Sequence, residues 1–207
     1  CQRWGWWRAG GGVKDMACRS LIWMPERAGR STLRPCLRTN PSTNGGRNRS
    51  PADVPHDITE IRCQVQELMP VTVFPVVCNS EDDRLFRCLV ARYHYLGLRN
   101  TVGENMRYLV RDRNSRVVSC LLFGSAAWRT APRDGFIGWD ARGRAANLQG
   151  VTNNTRFLVL PWVRVPHLAS WIMGQVLRRV SADWQRKYGH PIALVETFVD
   201  RSRFSGT

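Results

Sequence analysis

The sequence predicts an α/β protein of the α+β kind, with helices packed on a mixed sheet. Two segments point to it. An antiparallel hairpin reads from Arg107 to Phe123, and a strand–helix–strand unit reads from Thr155 to Asp200. A chain of 207 residues with 43% hydrophobic content is long enough for one medium core and a smaller accompanying unit.

Taken in order, residues 1–35 read as a partial N-terminal helical segment. Asp15 to Met24 is the helical candidate, with Met16, Ser20, Trp23 and Met24 near one face, and Pro25 interrupts it. Residues 36–68 read as a linker, because 36–57 are rich in Thr, Asn, Ser, Gly and Pro; its Arg47 and Arg49 could touch phosphate. The main domain spans 69–207. Val71 to Val77 is an extended apolar run bounded by prolines. Ser80 followed by Glu81, Asp82 and Asp83 is a helix start, with a hydroxyl cap and acids at the positive end of the dipole. Leu85, Leu89 and Leu96 are expected on its buried face, and Gly97 at its end.

Arg107–Arg111 and Val117–Phe123 pair across the turn Asp112-Arg113-Asn114-Ser115. Residues 125–153 read as irregular, with a short helix near Arg142 to Leu148. Phe157–Leu160 reads as a buried strand. One amphipathic helix then carries Leu168, Ile172, Val176, Val180 and Trp184 at a spacing of four, and Gly189 and Pro191 stop it. Ile192–Val199 is the return strand, parallel to the first through a right-handed crossover.

The charge balance is +15, from 31 basic against 16 acidic residues, and only Lys14 and Lys187 among the basic ones are lysine. Arginine's planar fork matches phosphate, so a nucleic-acid partner is expected; codon bias is the alternative source of the arginines. Seven cysteines without a CxxC pair form neither a disulfide framework nor a metal site, which suits a reducing, cytoplasmic setting. No apolar run reaches the length of a membrane span. Cys1 and Thr207 read as cut ends, so a truncated, inactive fragment is one alternative.

Ligands gather at the carboxyl ends of parallel strands and at helix N-termini. Here that place is Trp162, Val163, Arg164, His167, Leu168, Ala169 and Ser170, with Arg164 as a phosphate partner or a plain surface arginine. Glu196 and Asp200, four apart on the return strand, could handle protons or simply be solvated. His94, between Tyr93 and Tyr95, is either packed or catalytic. Trp128, Trp139 and Trp162 could stack bases or fill the core. Arg129, Arg133, Arg142, Arg144 and Arg156 form the expected nucleic-acid-facing surface.

Several runs carry a resemblance. They are Gly103-Glu104-Asn105-Met106-Arg107-Tyr108-Leu109-Val110, Phe136-Ile137-Gly138-Trp139-Asp140, Asn153 to Val163, and Glu196-Thr197-Phe198-Val199-Asp200. Together they resemble the family of Druantia anti-phage protein A, and Trp4-Gly5-Trp6 extends the likeness over nearly the whole chain. The resemblance implies a bacterial protein of phage-defence loci and mobile elements, with other defence proteins as partners. The order of elements is also similar to that of GNAT N-acyltransferases. That likeness implies acetyl-CoA or another acyl-CoA as cofactor, its pyrophosphate held by Arg164 to Ala169. In that loop His167 stands where the first motif glycine falls. Two functions follow as expectations: a GNAT-like enzyme acting on nucleic acid or nucleotide, or a cofactor-free DNA-binding scaffold.

Overall fold

In the computed structural model, residues 51–99 and 101–200 are described, with Asp200 as backbone alone, together with the backbone of Met16–Trp23. Arg47 and Arg49 lie outside the described residues.

Six strands form one sheet in the order β1-β8-β6-β5-β4-β3. They are β1 (Met16–Trp23), β3 (Thr72–Pro75), β4 (Asn105–Arg111), β5 (Val117–Ser125), β6 (Val151–Val159) and β8 (Leu194–Asp200). All neighbours are antiparallel except β6 and β8, the parallel pair expected of the crossover. A separate two-residue pair joins β2 (Ile61–Arg62) to β7 (Val163–Arg164).

Local chemistry explains the hairpin. Asp112 accepts the amides of Asn114 and Arg116 at 2.9 Å each, and Ser115 takes a left-handed φ of 62°. Helix α1 (Glu81–Tyr93) starts as expected, with the Ser80 hydroxyl accepting the Asp83 amide at 3.1 Å. Its buried face differs from the sequence reading. Phe86, Leu89 and Val90 are buried with Asp83, whereas Leu85 is half-buried and Leu96 is 42% exposed. The helix ends at Tyr93, before Leu96 can join the stripe.

Helix α1 lies on one face of the sheet, tied to β4 by the Arg107–Asp83 ion pair. Helices α4 (Leu168–Leu177) and α5 (Val180–Tyr188) cover the other face, where the Tyr108 hydroxyl donates to Asp183 at 3.0 Å. The predicted single helix is thus two. A spacing of four residues overshoots the helical turn by about 40° per step, so five such residues cannot stay on one face of a straight helix. The break at Arg178–Arg179 restores the alignment, and Leu168, Ile172, Val176, Val180 and Trp184 are all buried. Arg179 is held there by Asp183 and by the Val73 carbonyl.

Three further expectations are corrected. The helix expected over Asp15–Met24 is strand β1 over Met16–Trp23, antiparallel to β8. A segment of eight residues suits either period, and the edge of β8 supplies the pairing that decides it. Residues 125–153 hold the expected short helix as α3 (Ala141–Asn147) but are otherwise less irregular than expected, with α2 (Ala131–Ile137) before it and a 3-10 turn Leu148–Gly150 after it. The linker expected over 36–68 is mostly exposed from residue 51 to 60, but Ile61 and Leu68 then belong to the core.

Strands β6 and β8 pair only from Val151↔Leu194 to Asn154↔Thr197, although β6 continues to Val159 and β8 to Asp200. The β5–β6 ladder steps from Leu122↔Arg156 to Phe123↔Asn154, so Thr155 is a bulge where the parallel pairing stops.

Candidate functional site

The expected phosphate loop is a packed connection. The Trp162 carbonyl accepts the Ile61 amide at 2.8 Å, and Trp162 stacks on His56 with ring centroids 5.7 Å apart. Tyr93 meets Trp162 edge-on, and its hydroxyl lies 2.9 Å from His56 Nε2. Val163 and Leu168 are buried, while His167, Ala169 and Ser170 are exposed. Arg164 is exposed, and its guanidinium meets Glu60 at 3.3 Å; the same carboxylate holds Arg62 at 3.3 Å. An open cavity of about 450 Å³ lies beside it, lined by Arg62, Cys63, Gln64, Glu67, Arg164 and Pro166. His167 adopts φ 61°, a left-handed conformation that favours glycine.

Glu196 is not a solvated strand-end acid. It is 0% exposed, and Arg133, also 0% exposed, approaches both of its oxygens at 3.4 Å. Burial raises its pKa, and the charge of Arg133 only partly offsets this. The rest of the Arg133 fork closes on Asp134 at 3.0–3.1 Å, and Arg144 takes the other Asp134 oxygen at 2.9 Å. Burial works against the Asp134 carboxylate, but the hydrogen bonds from Arg133 and Arg144 hold its pKa below the ordinary range. Asp200 ends β8, four residues beyond Glu196.

His94 follows α1 and is half-buried. Its Nδ1 accepts the Leu96 amide at 3.2 Å, and its ring stacks on Tyr95. Burial, then the charge of Arg156, lowers its pKa to about 4, so it is neutral at pH 7. No hydrogen bond joins His94 to Glu196 among the described residues.

The expected arginine surface therefore divides. Arg133 and Arg144 are interior groups bound to carboxylates, not a nucleic-acid-facing surface. Arg129 and Arg142 are exposed, with no carboxylate partner among the described residues. Arg156 is half-buried at the β6 bulge, where its Nε donates to the Gly97 carbonyl at 2.8 Å and its Nη1 to the Thr155 carbonyl at 2.6 Å. Burial, then repulsion by Arg99, lowers its pKa. Every other arginine that is buried or half-buried among the described residues has a carboxylate partner: Arg87, Arg107, Arg111, Arg116, Arg133, Arg144 and Arg179.

Sequence reasoning missed Asp134 and His56. The pairing of Arg133 with the adjacent Asp134 was a local signal; the approach of Glu196, 63 residues away, had none. Trp128 and Trp139, read as base-stacking or core residues, both contact this network: Arg144 lies over the Trp128 ring and Arg133 over the Trp139 ring.

Taken together, these features define a basic, arginine-rich domain built on a mixed α/β sheet. The chain belongs to the family described as Druantia protein DruA, whose model matches residues 39–207. It is thus a Druantia-type, defence-associated protein. No curated protein and no solved structure matches it. No helix among the described residues is long and apolar enough to cross a membrane.

Proposed function

We propose that this domain serves phage defence by engaging the phosphate backbone of nucleic acid, with Arg156 as an anchor. One observation carries the reading: Arg156 is half-buried, has no carboxylate partner among the described residues, and sits where Arg99 repels it. A guanidinium withdrawn from water without a counter-charge is costly to the fold, and a bound phosphate would relieve that cost. Exposed Arg129 and Arg142 would add backbone contacts, and other defence proteins would act on the bound complex.

Fluorescence anisotropy with labelled oligonucleotides over a salt series tests this. Affinity should fall steeply with salt, and Arg156→Ala should weaken binding about tenfold or more. No binding at low salt sinks the proposal.

A second reading is a GNAT-like enzyme using acetyl-CoA or another acyl-CoA, with Glu196, Asp200 or His94 handling protons. It is supported by the parting of β6 and β8 after Asn154 and Thr197, and by the glycine-like backbone of His167. The loop does not fit a pyrophosphate as it stands, because Arg164 is engaged by Glu60 and a side chain stands at 167. No chemical step is therefore assigned. Calorimetry with millimolar acetyl-CoA would end this reading if no heat is released.

A further inference from the structure

Trp128 is 61% exposed, yet it is held on two sides. Arg144 lies over one face of its ring, the guanidinium carbon 5.6 Å from the centroid, and Arg144 is fixed by Asp134. Its backbone is fixed as well: Arg133 donates to the Ala127 carbonyl at 2.9 Å and to the Trp128 carbonyl at 3.4 Å. A rigid indole with one face on a guanidinium and much of its surface in water costs solvation and contributes little to the core. Arg129 follows directly and Arg142 lies on α3, both exposed and without a carboxylate partner among the described residues. Phe136, on α2 one turn beyond Arg133, is 60% exposed.

We infer that the open face of Trp128 is a stacking platform for an unpaired nucleobase, so that single-stranded nucleic acid is the preferred ligand class. A base in a duplex offers its edges, whereas a base in a single strand offers its face, and an indole backed by a guanidinium takes a face. Arg129 and Arg142 supply the charge complementarity for the strand's phosphates. This rests on the reading that the protein binds nucleic acid, and it adds which form is bound.

The test compares a labelled oligothymidine with a duplex of equal length, for the full chain and for Trp128→Ala and Trp128→Phe. The single strand should bind more tightly. Trp128→Ala should weaken it about tenfold while leaving duplex affinity nearly unchanged, and Trp128→Phe should retain most of the binding. Arg129→Ala should weaken both ligands and reduce the salt slope by about one phosphate. Ultraviolet crosslinking of an iodouracil-substituted strand to the unaltered chain keeps the test open if Trp128→Ala misfolds; the adduct is expected on Trp128. Equal affinity for strand and duplex, with Trp128→Ala weakening neither, overturns the platform and leaves the Arg156 anchor standing. Failure of both ligands to bind at low salt overturns both. A mapped crosslink that avoids Trp128 also overturns the platform.

Discussion

Arg133 holds the buried carboxylate of Glu196 through a single nitrogen, 3.4 Å from each oxygen. This is the weaker half of its commitments, because the remaining guanidinium nitrogens close on Asp134 at 3.0–3.1 Å. The pair joins α2 to β8, the strand between β1 and β6, where Glu196 is in register with Asn153. A helix of only seven residues has little stability of its own, so this tie fixes its position.

Removing Arg133 should therefore be severe. Arg133→Met leaves Glu196 without its cation and should cost about 3 kcal/mol or more in urea unfolding. Glu196→Gln should cost far less, with a pH signature. Burial raises the Glu196 pKa above its ordinary value, so the folded state binds more protons than the unfolded state between those two values. That contribution is present below the ordinary carboxylate value and is lost as pH rises through the folded one. Across that window the stability of Glu196→Gln relative to the unaltered chain should rise, then level off. A stability difference independent of pH would show that Glu196 does not titrate with a raised pKa.

The segment before Ile61 is fastened by the cluster of His56, Tyr93 and Trp162. Tyr93→Phe removes the hydroxyl 2.9 Å from His56 Nε2 and should lower stability by about 1 kcal/mol. Trp162→Ala should cost about 3 kcal/mol and expose residues 51–60 to proteolysis. Limited digestion followed by mass spectrometry reads this directly. Cleavage elsewhere first would mean that the segment is held by other contacts.

How much of this was legible depended on the range of the interaction. Ser80 capping Asp83 and the Asp112 turn are chemistry between residues two to four apart, and both read correctly from the sequence. The parallel pair β6–β8 followed from the length of the crossover between them. The strand over Met16–Trp23 did not, because its partner is nearly 180 residues away. Arg133 and Arg129 looked equivalent in the sequence; only the tertiary approach of Glu196 makes one an interior group and leaves the other on the surface. The spacing of Leu168 to Trp184 identified the buried apolar positions but neither the buried Asp183 nor the break, since a stripe records which apolar residues face inward and not whether the backbone between them is continuous.

His94 provides a proton-linked readout of the Arg156 anchor. Burial is the larger cause of its low pKa, about 4, and the nearby Arg156 charge is the second. A histidine with a lowered pKa binds fewer protons folded than unfolded, so the stability it permits is full above about 6.5 and declines as pH falls from there toward about 4. Arg156→Met removes the repulsion and should raise the His94 pKa, narrowing that window. A phosphate bound at Arg156 should act in the same direction, because it neutralises the charge that opposes protonation. Binding would then take up a fraction of a proton, and affinity should strengthen as pH falls from 6.5 toward 5, beyond what a His94→Gln variant shows. Imidazole NMR titration of His94, with and without oligonucleotide, measures the shift. An unchanged His94 pKa in the presence of saturating strand would place the bound phosphate away from Arg156.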